Sequence, residues 1–305
     1  MTHPRVALTL TCVLAAGCTH STPAAQARSE APPVAELSQR PAAPHPALEG
    51  PLTRASTTAP PTSVTVLSGP GGAQLGAMLT VDQDRALIRW HPGTVVPGAG
   101  GWPSADHLTA ADLPTVLATF NGGFTNAASR GGIRAGNHQH AGLRPGAASL
   151  VIDGAGRADV VAYDAARGNS YTVVRQNLEL LVDQGKAAAT VGQDDSPVWG
   201  RTLHHRHATN RTAVGVTSRG SLIVVVTDRV TTRQLAGLLL DAGAVRAMEL
   251  DINPQYSFLY IYTHSAGQPE PRPALPTQQG SPSRYLTAST RDFFSVEMRR
   301  MPLSS

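Results

Sequence analysis

The sequence predicts a single domain of the α/β class, in the mixed α+β sense: a mixed, strand-rich sheet core with few helices. Three observations carry this. Short apolar, β-branched runs recur from Val64 to Met298. Only one segment, Thr231–Ala242, shows well-marked helical spacing. That helix stands directly between two strands, so strand, helix and strand run consecutively from 222 to 251.

The elements follow in order. Val64–Leu67, Ala77–Val81 and Ala86–Trp90 are short strands, and Val116–Phe120 is an apolar strand ending at Asn121-Gly122-Gly123. Ser149–Asp153 and Ala158–Tyr163 flank Gly154-Ala155-Gly156 as a hairpin. Arg175-Gln176-Asn177 precedes an apolar strand and an Asp-Gln-Gly turn. Arg211–Thr217 and Leu222–Thr227 flank Ser218-Arg219-Gly220, a stronger hairpin, and "LIVVVT" is apolar on both faces, which predicts a central strand. Thr231 and Gln234 make a capping-box pair, Leu235, Leu238, Leu239 and Ala242 form a stripe, and Gly243 ends the helix. The strand Val245–Asp251 follows; a parallel crossover is the simplest arrangement, and an α+β layout also accommodates it. Residues 264–290, rich in Pro, Gln and Ser, read as a long surface loop, and Asp292–Met298 as a closing strand.

Ahead of the domain, residues 1–17 have the form of a signal peptide: one charge at Arg5, an apolar run from Val6 to Ala16 too short to span a bilayer, then small residues. Ala-Ala-Gly before Cys18 looks like a bacterial lipobox, with Cys18 lipidated and the protein held on the outer face of a cell-envelope membrane. Cleavage there leaves Cys18 as the only cysteine, hence no internal disulfide. Residues 18–62, rich in Ala, Pro, Ser and Thr, read as a disordered tether, and the domain as 63–305. The net charge of +4 comes from scattered arginines, with Lys186 the only lysine, and no basic stripe interleaved with aromatics is present. That gives nucleic acid little support as a partner and leaves anionic envelope polymers.

Polar side chains gather at four places beside special backbone. Asn121-Gly122-Gly123 allows a tight turn or a close approach to a ligand. Gln176-Asn177 stands before a strand. Arg211 opens a central strand, where its fork suits a phosphate or a carboxylate. In "AMELDINPQY" a period of two puts Glu249, Asp251 and Asn253 on one face, with Leu250 and Ile252 on the other; carboxylates on an interior strand are functional or firmly paired. His204, His205 and His207, and the pair His138 and His140, lie in loop-like sequence without zinc spacing. No cofactor is therefore expected, with a divalent cation left as the alternative.

The order Asn-Gly-Gly-Phe, Gln-Asn-Leu, Arg-Thr-Ala-Val-Gly-Val with its hairpin, and a helix leading to Leu250-Asp251 resembles the phosphodiester glycosidase family over about residues 64–264. The resemblance implies a mixed α/β domain that hydrolyses a sugar-1-phosphodiester. By position Asn121, Gly122, Gly123, Arg211 and Asp251 match the family's motifs, which implies Asp251 and Arg211 as catalytic residues; Gln176, Asn177, Glu249 and Asn253 are expected beside Asn121, Gly122 and Gly123 around the substrate. Where the family has Leu-Asp-Gly-Gly-Gly-Ser, this chain continues from Asp251 with Ile252-Asn253-Pro254-Gln255, and Glu249 replaces a common asparagine. The expected function is an anchored hydrolase acting on a glycosyl phosphodiester of an envelope glycan. A non-catalytic polysaccharide-binding lipoprotein on the same fold is the alternative, and a metal-dependent hydrolase using the histidines at 204, 205 or 207 is the third.

Overall fold

The structure, a computed structural model, describes residues 38–41 (backbone only), 60–69, 72, 74–202, 205–264 and 269–300. The chain opens with β1 (Ser38–Pro41), β2 (Thr62–Ser68), β3 (Gln74–Val81), β4 (Ala86–His91) and β5 (Val116–Asn121). A short turn of helix α1 (Asn126–Ser129) leads to β6 (Ile133–Ala135), β7 (His138–His140), β8 (Ala148–Asp153), β9 (Ala158–Ala162), β10 (Tyr171–Gln176), β11 (Leu180–Asp183) and β12 (Lys186–Ala187). Then come β13 (Thr209–Thr217), β14 (Leu222–Val230), α2 (Thr232–Asp241), β15 (Ala244–Glu249), β16 (Leu259–Thr263), β17 (Glu270–Pro273) and β18 (Phe293–Met298).

The strands make three sheets, ordered β1-β2-β3-β14-β13-β15-β11-β12, β7-β6-β10-β8-β9 and β17-β16-β5-β18-β4. The fold is thus strand-rich with few helices. β14 and β15 both pair antiparallel with β13, so they run parallel to each other with β13 between them. The crossover through α2 is therefore parallel in sense but passes over an intervening strand, because the 211–227 hairpin occupies the adjacent place.

The doubly apolar run in β14 is explained by two cores. Leu222, Val224 and Val226 face a core shared by all three sheets, with Leu79, Ile88, Phe120, Leu150 and Phe294. Ile223 and Val225 face Leu235, Leu238 and Leu239 of α2. A central strand covered on both faces has no polar side, as its sequence requires.

Three expectations are corrected. Residues 264–290 are not simply a surface loop: β17 pairs with β16, and Tyr285 is buried, stacked 4.0 Å from Phe293. The aromatic face of β16 needs that cover, and Tyr260 and Phe258 supply the partners. Ser38–Pro41, inside the segment expected to be a tether, pairs with β2, Ser38 opposite Ser68; backbone pairing at a sheet edge needs no apolar side chains. His138 and His140 lie on β7, not in a loop. Cys18, the signal segment and His204 lie outside the described residues.

The cap of α2 has both reciprocal bonds. Thr231 Oγ1 accepts from Gln234 N at 3.2 Å, and Gln234 Oε1 accepts from Thr231 N at 2.9 Å. Thr231→Ala should lower the free energy of unfolding by about 1 kcal/mol. Urea unfolding measures it, and an unshifted midpoint would contradict the assigned cap.

Candidate active site

The carboxyl ends of β5, β10 and β15 and the start of β18 meet at one place, bringing together polar residues from all three sheets. The apolar cores cannot satisfy those groups, so they must satisfy one another. Asn121, closing β5, donates to Thr212 Oγ1 at 3.0 Å and accepts from Phe258 N at 2.9 Å. Asn177 donates to Glu249 O at 2.7 Å and accepts from Phe124 N at 3.0 Å. Gln176 accepts from Gly132 N and Arg144 N and donates to Arg144 O. All three amides are buried and spend their hydrogen bonds on protein.

The glycine pair has the same purpose. A Cβ at Gly122 would stand 2.3 Å from Asp292 Oδ2, and one at Gly123 would stand 2.7 Å from Asn177 Oδ1. The close approach that glycine permits here is to the protein's own carboxylate and amide. Asp292 in turn holds Arg175 through two contacts, 2.8 Å from Nε and 3.1 Å from Nη2, both side chains fully buried.

Arg211 is likewise enclosed. Its Nη1 lies 2.5 Å from Glu249 Oε1, its Nη2 3.0 Å from Asp194 Oδ1, and its Nε donates to Val230 O. With no side-chain exposure it presents no fork to a ligand. Burial pushes the Glu249 carboxyl up to about 7 against the pull of Arg211, and Asp194 shares the same guanidinium. Glu249 is thus a partner in a buried triad.

Asp251 and Asn253 differ: both line an open cavity of about 550 Å³. Asp251 sits two residues past β15, held by Asn253 N on Oδ1 at 2.9 Å and by Arg291 Nη2 on Oδ2 at 2.7 Å. Its backbone carbonyl accepts from Thr212 and Ser257 hydroxyls. Burial raises the Asp251 pKa above the ordinary 3.8, while Arg291 opposes the shift. Arg291 keeps 13% of its side chain exposed, stacks 4.5 Å from the Tyr256 ring centre, and leaves its Nε without an acceptor among the described residues. Phe124, Ile252 and Pro254 give the cavity apolar walls, and Arg201 and Arg206 stand on its rim. A second cavity of about 600 Å³, beside β4 and the 153–156 turn, contains none of the expected residues. The described histidines form no metal site: His205 Nδ1 pairs with Asp195, and no group of three His, Cys, Asp or Glu among the described residues is arranged to hold an ion.

The sequence model of the phosphodiester glycosidase family matches residues 114–264. This segment is a phosphodiester glycosidase domain. Among solved structures, the chain is similar to the zebrafish N-acetylglucosamine-1-phosphodiester alpha-N-acetylglucosaminidase catalytic domain auto-inhibited by its pro-peptide, at 16% identity over 88% of this chain and 91% of that one, TM-score 0.48. A hypothetical protein from Synechocystis matches at 14% identity over 79% and 64% of the two chains, TM-score 0.44. A putative exported protein from Burkholderia pseudomallei matches at 13% over 77% and 74%, TM-score 0.40. No curated protein sequence matches.

The glycosidase domain's matched segment ends before Arg291, which lines the cavity from two residues ahead of β18. Sequence reasoning missed this residue. Its only signal was an Arg-Asp pair at the head of a strand, which looks like an ordinary strand start. The expected set therefore divides. Asp251 and Asn253 face the cavity, and Asn121, Gly122, Gly123, Gln176, Asn177, Arg211 and Glu249 form the buried polar scaffold behind it. Arg211→Met should strand two buried carboxylates and cost about 3–5 kcal/mol of stability. Thermal unfolding tests this; a melting temperature equal to that of the unaltered protein would place Arg211 outside the scaffold.

Proposed function

We propose that the protein hydrolyses a glycosyl phosphodiester at the cavity floored by Asp251 and Arg291. The observation that carries this reading is their 2.7 Å contact in a cavity whose described lining holds no second carboxylate. Ordinary glycoside hydrolysis uses two carboxyl groups, one of them to protonate a poor leaving group. A phosphate leaves as an already acidic oxyanion, so one carboxylate and a cation suffice. In this scheme water adds to the anomeric carbon and the bond from that carbon to the phosphate oxygen breaks. Asp251 takes the water's proton, and Arg291 steadies the departing phosphate with its free donors. The neighbouring Arg291 orients the Asp251 carboxylate and opposes the rise that burial gives its pKa, and Asn253 offers its side-chain amide to sugar hydroxyls. No cofactor is assigned a step, so turnover should not respond to a chelator.

Asp251→Asn keeps the shape and removes the charge; it should lower kcat by roughly 10²–10⁴. Arg291→Lys keeps the charge and loses the fork, and should raise KM. Because burial raises the Asp251 pKa, the ionised form is lost as pH falls through a value above 3.8. The acid limb of kcat should therefore lie above that of an exposed aspartate. A sugar-1-phosphodiester panel assayed across pH checks all three. Binding without turnover in the unaltered protein would favour the non-catalytic reading instead.

The proposal extends to place: export, lipidation of Cys18, and action on a glycan of the cell envelope. The lipobox-like Ala-Ala-Gly-Cys supports it. Cys18→Ser should move the protein from the membrane fraction to the soluble one; an unchanged membrane fraction would defeat the anchor.

A further inference from the structure

We infer that the cavity takes a glycosyl phosphate polymer by two of its phosphates: Arg291 holds the one beside the bond that breaks, and Arg201 with Arg206 hold a neighbouring one. This rests on the hydrolase reading and names its substrate class. The argument begins with the wall that carries the two rim arginines. Trp199 is fully buried, its Nε1 donating to Thr190 O at 2.9 Å. Gly200, at φ +83°, lies so close to Phe124 and Ile252 that a Cβ would stand 2.7 Å and 2.9 Å from them. The chain is thereby pressed onto the cavity's apolar wall one residue before Arg201. Further along, Asp195 accepts from Thr202 N at 2.7 Å, and the Thr202 hydroxyl donates to Arg206 O at 2.9 Å. Asp194 ties the same segment to Arg211 and to the first turn of α2. The rim is thus fixed at several points, and both arginines are exposed on it, lining the cavity.

Charge then decides what the rim is for. Asp251 and Arg291 neutralise each other. Arg201 and Arg206 make no ion pair with any described residue, and the described lining holds no other carboxylate. The cavity therefore carries two positive charges beyond its internal pair. One phosphodiester supplies a single negative charge, which leaves the rim half-matched. A polymer with a phosphate in each repeat supplies the second. Unpaired arginines beside one cavity raise the local concentration of such a polyanion and favour it over a neutral glycan of equal length.

The test uses two synthetic ligands of equal length built on N-acetylglucosamine. One has two successive 1-phosphodiester linkages; the other has one, its second linkage being a plain glycosidic bond. Affinity is measured by calorimetry on Asp251→Asn protein, so that neither ligand is consumed, and hydrolysis is followed on the unaltered protein. The two-phosphate ligand should bind about five- to tenfold more tightly at low salt, the margin of two partly exposed charge contacts. That margin should collapse in 1 M salt and disappear when Arg201→Ala and Arg206→Ala are combined. Equal affinities, absence of binding by both ligands, or a margin that survives the double substitution would each overturn the inference. The hydrolase reading fails separately: a preserved margin with neither ligand cleaved sinks that reading alone, whereas cleavage of both with equal affinity sinks only the two-phosphate inference.

Discussion

The buried fork between Arg175 and Asp292 is the interaction on which the site depends. It joins the second sheet to the third with both side chains fully out of solvent, and Trp90 Nε1 adds a third bond to the same carboxylate at 3.1 Å. Two desolvated charges are tolerable only when their remaining lone pairs and protons are satisfied. Here Arg175 also donates to Gln176 O and Phe124 O. The backbone must come close to complete this arrangement, which is why residues 122 and 123 are glycines. Arg291 stands next to Asp292 in the chain, and its Nη2 donates to Asp251 Oδ2 at 2.7 Å on the cavity floor.

Two arginines with similar neighbours end in different roles because of burial. Arg211 and Arg291 each pair with an acidic residue of the 249–251 segment. Arg211 has a second carboxylate and a backbone carbonyl to complete its shell, so it acts as a strut between the loop bearing Asp194 and β15. Arg291 has an incomplete shell, an aromatic face against one side and a cavity in front. An incompletely satisfied guanidinium next to a cavity is the feature that anion recognition requires.

Much of this was legible in the sequence, and the parts that were not share a cause. The capping box at Thr231 and the two-faced strand 222–227 follow from local periodicity, whereas the shared face expected for Glu249, Asp251 and Asn253 does not form, because β15 ends at Glu249 and Ile252 lines the cavity beside Asp251 and Asn253. The Asn121-Gly122-Gly123 turn was legible as a close approach, but not what it approaches, because Asp292 lies far along the chain. Arg291 was invisible for the same reason: its place is set by the register of β18, with Phe293 opposite both Asn121 and His91. Tyr285 shows the limit of composition. A segment rich in Pro, Gln and Ser was read as a loop, yet β17 pairing, a buried Leu275 and Tyr285 seat it on the sheet.

The most direct test of the central claim, attack at the anomeric carbon beside Asp251, is the fate of solvent oxygen. Hydrolysis of a sugar-1-phosphodiester in ¹⁸O-labelled water, read by ³¹P resonance and by mass spectrometry of both products, separates the two bonds that can break. The account predicts the label in the sugar and none in the phosphate. Label in the phosphate would mean that the phosphorus–oxygen bond is broken, and would contradict the mechanism assigned to Asp251 and Arg291.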